Sequence, residues 1–337
     1  MNFLNLLKAD PLPWLLEEDS QNPGVRYFTL KEILDKPLDL PEVQQAHDQI
    51  MQQGPVPAIL DQQHEDGYWE EPGPGYMPKY RSTVWSICFL SQLGANGQDE
   101  RIHKACHYLL DHARSKQGGF SMNGSPSGLI HCLQGNLIAS LIDFGFLSDD
   151  RLQDSIDWLA RSITGEGIAP AGSKETPKYL RSGNSAPNFA CSANLHQSCA
   201  WGAVKAMLGL SRIPQDQRSP QVIKAIQMGI DFLLGTDPAT AAYPITTAKK
   251  PSQSWFRFGF PVFYVSDVLQ NLEVLTALGY GKDTRITSAV ELLLSKQELG
   301  RWKMAYTYNG KTWVDIETKN APSKWVTLRA LRVLKAV

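Results

Sequence analysis

Apolar residues recur along the chain at helical spacing, in two kinds of segment that alternate. One kind is apolar or small around most of its circumference, as in a helix buried on several sides. The other has a narrow apolar stripe and a polar face, with Asp or Ser near its start, which suits an N-cap. The first kind predicts inner helices: STVWSICFLSQLG (82–94), HCLQGNLIASLIDFG (131–145), SCAWGAVKAMLGLS (198–211), SDVLQNLEVLTALG (266–279) and SKWVTLRALRVLK (323–335).

The second kind predicts outer helices, each next to an inner one in sequence. One helix pair cannot bury its inner face alone, so repeated pairs predict a closed or solenoidal array. None of the loops looks like an interdomain linker, and we therefore predict an all-α fold of about five helix pairs over residues 44–337, preceded by an N-terminal extension (1–43) with a short helix. The outer segments are residues 42–63, 99–117, 149–163, 219–237 and 282–297.

Composition adds little about partners. The 337 residues include 33 Lys and Arg against 34 Asp and Glu, so the net charge of −1 gives no electrostatic reason to expect nucleic acid or anionic lipid. No apolar run approaches the roughly 18 residues of a membrane span, and the N-terminus lacks a basic region and a signal-type cleavage site. We expect a cytoplasmic protein whose five cysteines are free or bind metal rather than forming disulfides.

Three outer segments end in a corner of Gln, Gly and an aromatic residue. A glycine turn there lets the aromatic ring pack back over the helix end while Gln bonds loose backbone groups. The corners are Gln63, Gly67 and Trp69; Gln117, Gly119 and Phe120; and Gln297, Gly300 and Trp302. This recurring motif of Gln, Gly and an aromatic residue resembles the QW-type repeat of squalene and oxidosqualene cyclases and of protein prenyltransferase β-subunits. The resemblance, from about residue 44 onward, implies an α/α toroid of the terpenoid cyclase and prenyltransferase class.

Aligning the inner segments places Cys132, Cys199 and Asp267 at one level, near the starts of three successive helices. Helix dipoles favour thiolate and carboxylate at such ends. Thiolates and a carboxylate that converge there can bind zinc, and His196 lies one turn before Cys199. Prenyltransferase β-subunits use an Asp, Cys and His zinc set at inner-helix ends. We therefore predict a zinc site formed by Cys132, Cys199, Asp267 and His196.

Two other interpretations of these residues stay open. Squalene-hopene and class II terpene cyclases protonate an alkene with the middle Asp of a DxDD motif, and YVSD (264–267) stands in a comparable place with only the last acid present. A metal-free isoprenoid cyclase would use Asp267 as its acid, with Tyr264 beside it. The chain could also be a noncatalytic ligand-binding or scaffold toroid, with the cysteines in packing roles and Asp267 as a helix cap.

Aromatic residues on or before the inner helices can line an apolar pocket and stabilise a cation. The candidate substrate-binding residues are Trp85, His131, Trp201, Phe263 and Trp325. The expected partner is an apolar or thiol-bearing small molecule in the central cavity, and the aromatic segment 252–264 should fold over or beside the cavity mouth. A deep cavity with polar groups at its base would favour an enzyme, whereas a lumen filled by side chains would favour a scaffold.

Overall fold

The computed structural model describes residues 3–168, 183–245 and 251–337, and helices dominate this part of the chain. The α-helices are α1 (Leu12–Leu15), α2 (Pro23–Phe28), α3 (Pro41–Gln52), α4 (Pro55–Leu60), α5 (Thr83–Leu93), α6 (Glu100–His112), α7 (His131–Asp143), α8 (Asp150–Thr164), α9 (Ala200–Ser211), α10 (Pro220–Leu234), α11 (Val268–Ala277), α12 (Thr287–Ser295) and α13 (Lys324–Ala336). The described residues also include short 3₁₀-helices, a π-helix (Thr29–Ile33) and five two-residue strands: β1 (Ser185–Ala186), β2 (Ala190–Cys191), β3 (Gln197–Ser198), β4 (Trp302–Lys303) and β5 (Pro322–Ser323).

Consecutive inner helices pack side by side around a central lumen. Helix α5 contacts α7, α7 contacts α9, α9 contacts α11, and α11 contacts α13. Helices α5, α7, α9 and α11 are also packed against an outer helix, as α7 is against α8 and α9 against α10. The predicted α/α toroid is confirmed, and the predicted inner segments are the inner helices.

Helix α2 occupies a sixth inner position and closes the ring. It contacts α13, and the Phe28 ring centroid lies 6.3 Å from that of Trp325. On its other side α2 meets the end of α5, where a Cβ on Gly24 would lie only 2.4 Å from the Leu93 carbonyl oxygen. Only glycine permits this approach. The segment predicted as an N-terminal extension therefore supplies one of the inner helices of the ring.

The two best-packed inner helices, α7 and α9, touch backbone to backbone. A Cβ on Gly135 would lie 1.7 Å from the Lys205 carbonyl oxygen, and one on Gly209 would lie 3.0 Å from the Gly135 Cα. Small residues at these positions permit the contact. This contact fixes Lys205 of α9 against the middle of α7.

The Gln, Gly and aromatic corners have the geometry that their chemistry predicts. The indole N–H groups of Trp69 and Trp302 donate to the carbonyl oxygens of Ile59 and Leu293, each at 2.8 Å, in the last turns of α4 and α12. The Gln63 amide donates to the Arg101 carbonyl at 2.9 Å. The Trp69 and Trp302 corners thus bond carbonyl groups near a helix end, whereas in the third corner the Gln117 Oε1 has no hydrogen-bond partner among the described residues.

The aromatic segment 252–264 enters the lumen. Gln92 of α5 accepts from the Val262 N–H at 2.7 Å and donates to the Val262 carbonyl at 3.0 Å. Asn136 of α7 donates to the Phe263 carbonyl at 3.1 Å. Residues 260–263 are buried, so this part of the segment crosses the inside of the ring. Within the described ranges, no helix has the length and apolarity needed to cross a membrane.

Candidate functional site

The lumen holds a cavity of about 740 Å³ in the C-terminal half of the inner helices. All six inner helices contribute to its wall. Lining residues include Phe28, Cys88, Gln92, Asn136, Ala139, Asp143, Leu208, Arg212, Phe260, Val262, Gln270, Glu273, Val274, Arg329 and Arg332. The predicted zinc residues instead lie at or before the starts of inner helices, and none of them lines this cavity among the described residues.

Buried Arg329 of α13 forms the base of the cavity and uses all three of its nitrogens. Its Nη1 and Nη2 donate to the two oxygens of Asp267, at 3.3 and 3.2 Å, and Nη1 also donates to the Gly259 carbonyl at 2.7 Å. Its Nε and Nη2 donate to the Glu273 carboxylate, with the shortest contact at 2.7 Å. Although burial lowers the pKa of Arg329, the two carboxylates raise it above the usual value.

Asp267 has two roles in this arrangement. Its Oδ1 accepts from the backbone N–H of Gln270 at 2.7 Å, so it is the N-cap of α11. Both of its oxygens also accept from Arg329. A carboxylate begins this apolar helix because it caps the helix and neutralises a buried guanidinium on the neighbouring one.

Three carboxylates line the cavity: Asp143, Glu273 and Glu32, of which the last pairs with Arg332. Glu273 lies beside Arg329, and Asp143 accepts from Ser91 Oγ at 3.0 Å and pairs with Arg212 at 3.3 Å. The Arg212 guanidinium also interacts electrostatically with Glu273. The cavity thus has acidic and basic groups in alternation around one space, with Phe, Val and Leu side chains between them.

Lys205 of α9 is the most unusual charged group of the interior. Its side chain is fully buried, and its Nζ has no hydrogen-bond partner among the described residues. Its charge interacts with Cys132, Asp267 and Arg329, which belong to three other inner helices or their first residues. The ammonium therefore lies toward the axis of the ring. Burial lowers the pKa of Lys205 to about 7.

The predicted thiols lie near one another, together with a third. Cys132 interacts electrostatically with both Cys191 and Cys199, and Cys199 interacts in the same way with Cys191. Burial raises the pKa of Cys132 to about 12. Lys205 interacts with both Cys132 and Asp267 and so connects this cluster to the Arg329 network. Two of the predicted ligands therefore share a cluster, while Asp267 belongs to the ion-pair network.

The two predicted histidines have different surroundings. His131 is buried at the start of α7, shares a 3.0 Å hydrogen bond with Ser162 of the outer helix α8, and packs edge-on against Phe189. Burial lowers its pKa to about 4, so it is neutral at physiological pH. His196 is exposed in the turn between β2 and β3, where its charge interacts with Cys191.

Three predicted aromatic residues belong to one cluster at the N-terminal end of the lumen. The Phe263 ring lies 5.4 Å from Trp85 and 4.8 Å from Tyr308, and Tyr80 stacks on Tyr264 with centroids 6.5 Å apart. The ammonium of Lys79 lies 5.1 Å above the Tyr264 ring. These rings pack on one another and close this end of the lumen.

The remaining two tryptophans stand apart from that cluster. Trp325 stacks on Phe260 at 4.2 Å and donates its indole N–H to Asn22 at 2.8 Å, which fastens α13 to the start of α2. Trp201 is half-buried in the first turn of α9, and its carbonyl oxygen accepts from Ser266 at 3.5 Å.

Sequence reasoning missed Lys205, Glu273, Asp143 and Gln270 as site residues. Each of the first three is the only Lys, Arg, Asp or Glu in its helix, and that was the available signal. In the parts of the chain described here, no group of three or more His, Cys, Asp or Glu side chains is arranged to hold a metal ion. The predicted zinc ligands are not grouped in this way, and zinc stays a prediction from the sequence.

Comparison with known proteins gives likenesses of shape alone. No protein-family model matches the chain, and no curated protein matches it. A solved unsaturated glucuronyl hydrolase specific for heparin is 11% identical, with 94% of this chain and 85% of that chain covered and a TM-score of 0.48. A variant of a type II terpene cyclase from Scytonema, in complex with merosterolic acid A, is 12% identical, with 83% and 94% covered and a TM-score of 0.31.

A protein from Actinoplanes is 13% identical, with 83% of this chain and 96% of that chain covered and a TM-score of 0.30. At this level of identity and superposition, the solved structures carry no argument about chemistry. The assignment as an α/α toroid rests on the helix packing described above, and the family within that fold is not defined by the comparisons.

Proposed function

We propose that the chain is an enzyme that acts on a small amphipathic molecule held in the lumen cavity. The observation that carries this proposal is the cavity itself, because a scaffold toroid would fill its lumen with side chains, whereas this lumen keeps about 740 Å³ open beside buried charges. Buried charges in a cavity are costly to keep, and they gather at functional sites.

The lining favours a substrate with an apolar body and a polar head. Phe28, Leu208 and Val274 offer apolar walls, while Arg329 and Gln270 offer polar groups at the base. Gln270 is buried, and its Oε1 has no hydrogen-bond partner in the described residues. A hydroxyl or N–H of the substrate would satisfy this oxygen. A prenyl chain that ends in a hydroxylated, acidic head group has the required character.

We assign proton transfer to Glu273, with Asp143 as the second carboxylate. Both line the cavity, and general acid–base chemistry needs carboxylates within reach of the substrate. Arg329 would hold the Glu273 carboxylate in place, since its N–H groups donate to Glu273, Asp267 and the Gly259 carbonyl. Asp267 is a positioning residue here, because it is not among the residues that line the cavity and it holds Arg329 in place.

The test uses geranylgeranyl dihydroxybenzoate, the substrate in a solved complex of the Scytonema terpene cyclase. Squalene, which has no polar head, is the matched control. We expect the wild type to bind the first probe and convert it to an isomer of unchanged mass, separable by liquid chromatography. Glu273→Gln should bind the probe with little change and lose most of the turnover.

Two outcomes would contradict the proposal. Failure of the wild type to bind the prenylated probe would reject the substrate class. Conversion by Glu273→Gln at the wild-type rate would reject the assigned proton transfer.

A further inference from the structure

Three basic side chains at the N-terminal end of the lumen have no acidic partner in the described part of the chain. Lys79 and Arg81 lie just before α5, Lys311 lies in the loop between β4 and β5, and all three are exposed. At the other end of the lumen, Arg212 and Arg329 are each paired with a carboxylate. The three exposed charges are therefore free to meet an anion from outside the chain.

Two of these cations lie over a pair of stacked tyrosines. The Lys79 Nζ is 5.1 Å from the centroid of the Tyr264 ring, and the Lys311 Nζ is 5.9 Å from that of Tyr80. The two rings stack with their centroids 6.5 Å apart. A cation–π contact holds an ammonium in place without neutralising its charge, so both charges are ordered before any partner binds.

Trp313 holds the third cation at the start of α5. Its half-buried indole N–H donates to the Arg81 carbonyl at 2.8 Å and to Ser86 Oγ at 3.2 Å. The Arg81 guanidinium lies 5.2 Å from the centroid of the Trp313 ring. Because the N-terminus of a helix carries positive potential, α5 adds to the attraction for an anion at this place.

Tyr80, between two of the cations in sequence, has a strained backbone. Its φ is 76°, which is costly for a residue with a bulky side chain. Contacts of its ring hold it there, with centroids 4.7 Å from Tyr308 and 5.4 Å from Trp85. Strain of this kind gathers at functional sites. It is independent evidence that residues 79–81 do more than connect two elements.

The composition of this surface favours a protein as the partner. Met77, two residues before Lys79, is 62% exposed and offers an apolar contact beside the charges. Met, Tyr, Trp and Arg are the residue types enriched at protein–protein interfaces. Single-stranded nucleic acid would need open ring faces on which its bases stack, whereas these rings already carry cations of the chain itself.

We propose that this surface, the basic rim, binds an acidic segment of a partner protein. The basic rim comprises Met77, Lys79, Arg81, Lys311 and Trp313. A run of Asp and Glu side chains in the partner would meet the three fixed cations, and an apolar residue beside that run would contact Met77. The basic rim lies at the end of the lumen away from the cavity, so this interaction is separate from the proposed chemistry of the lumen.

The test uses fluorescein-labelled octaglutamate, with fluorescence anisotropy as the readout. The wild type should bind the peptide at low salt and bind it less tightly at high salt, because salt screens exposed charges. Lys79→Gln, Arg81→Gln and Lys311→Gln should each weaken binding by about two- to fivefold, the range for exposed ion pairs, and the triple variant should lose binding.

A triple variant with the same change in net charge is the matched control. Lys104→Gln, Lys116→Gln and Lys282→Gln alter exposed lysines in or next to outer helices and should leave binding unchanged. All six side chains are exposed, so every variant should fold, which circular dichroism would show.

Three outcomes would overturn the proposal. A wild type that does not bind octaglutamate at low salt would reject the acidic partner. Equal loss of binding in both triple variants would show attraction to net charge rather than to the basic rim. Tighter binding of oligothymidylate or of phosphatidylserine vesicles than of the peptide, lost in the basic-rim triple variant, would reject a protein as the partner.

Discussion

Removal of the Arg329 guanidinium should destabilise the protein far more than removal of a surface arginine. Arg329→Met keeps an unbranched side chain but leaves Asp267, whose side chain is 6% exposed, without its counter-ion. Breaking a buried ion pair by removing one partner costs about 3–5 kcal/mol, because the remaining charge stays desolvated. The Gly259 carbonyl also loses its donor. We therefore expect the free energy of unfolding to fall by about 3–5 kcal/mol.

Arg101→Met is the matched control. Arg101 pairs with Asp99 at 2.9 Å, but its side chain is 45% exposed. Exposed pairs contribute about 0–1 kcal/mol, so this variant should stay close to the wild type. Urea unfolding followed by circular dichroism gives both values from the shift in midpoint at constant slope.

The partner residue sharpens the same experiment. Asp267→Asn removes the charge but leaves an amide oxygen that can still cap α11, whereas Asp267→Ala also removes the cap and should cost about 1 kcal/mol more. The double variant Arg329→Met with Asp267→Asn should lose less stability than the sum of the single changes, because Asp267 is then neutral and only Glu273 keeps a charge without its partner. A loss of under about 1 kcal/mol in Arg329→Met, or strict additivity in the double variant, would refute this account of the network.

Three further predictions follow from other parts of the molecule. Burial lowers the pKa of Lys205 to about 7 in the folded protein, below its value in the unfolded chain. At pH values between these two pKa values the unfolded chain binds more protons, so the free energy of unfolding rises with pH. From pH 7.5 to 9 the wild type should gain about 2 kcal/mol relative to Lys205→Met, and parallel pH profiles of the two proteins would contradict this. Trp302→Phe should lose about 0.5–1.5 kcal/mol in urea unfolding, because the Leu293 carbonyl loses one of its two donors and keeps the Lys296 N–H, and an unchanged midpoint would count against the corner geometry. Metal analysis of protein purified without a histidine tag tests the zinc prediction. About one zinc per chain, lost in Cys132→Ser and in Cys199→Ser, would support it, whereas a metal-free wild type would reject it.

The sequence predicted the fold well because a toroid is a repeat of one local rule. Inner segments such as 82–94 are apolar around their circumference, and the corners at Trp69 and Trp302 mark where outer helices end. The same pattern did not predict α2 as an inner helix. It spans only six residues, and its place in the ring depends on the close approach of Gly24 to the Leu93 carbonyl.

The site was harder to predict, because it depends on how residues on different inner helices are placed relative to one another along the axis of the ring. Internal alignment placed Cys132, Cys199 and Asp267 at one level, yet level along a helix does not specify which way a side chain points around the ring. Asp267 is turned toward Arg329, and Cys199 interacts electrostatically with Cys191 of the preceding hairpin, which the alignment could not include. In the sequence, Lys205 is a single charged residue within an otherwise uncharged helix. Only the closed ring brings charged groups from other inner helices near it.

The most direct test of the central claim is whether filling the lumen cavity abolishes small-molecule binding. Ala139 of α7 lines the cavity, so Ala139→Trp would occupy it, while Ala9→Trp places the same side chain at an exposed position outside it. Binding of geranylgeranyl dihydroxybenzoate would be measured by native mass spectrometry on wild type and both variants. The account predicts one bound molecule in the wild type and in Ala9→Trp and none in Ala139→Trp; equal binding by all three proteins, or by none, would contradict it.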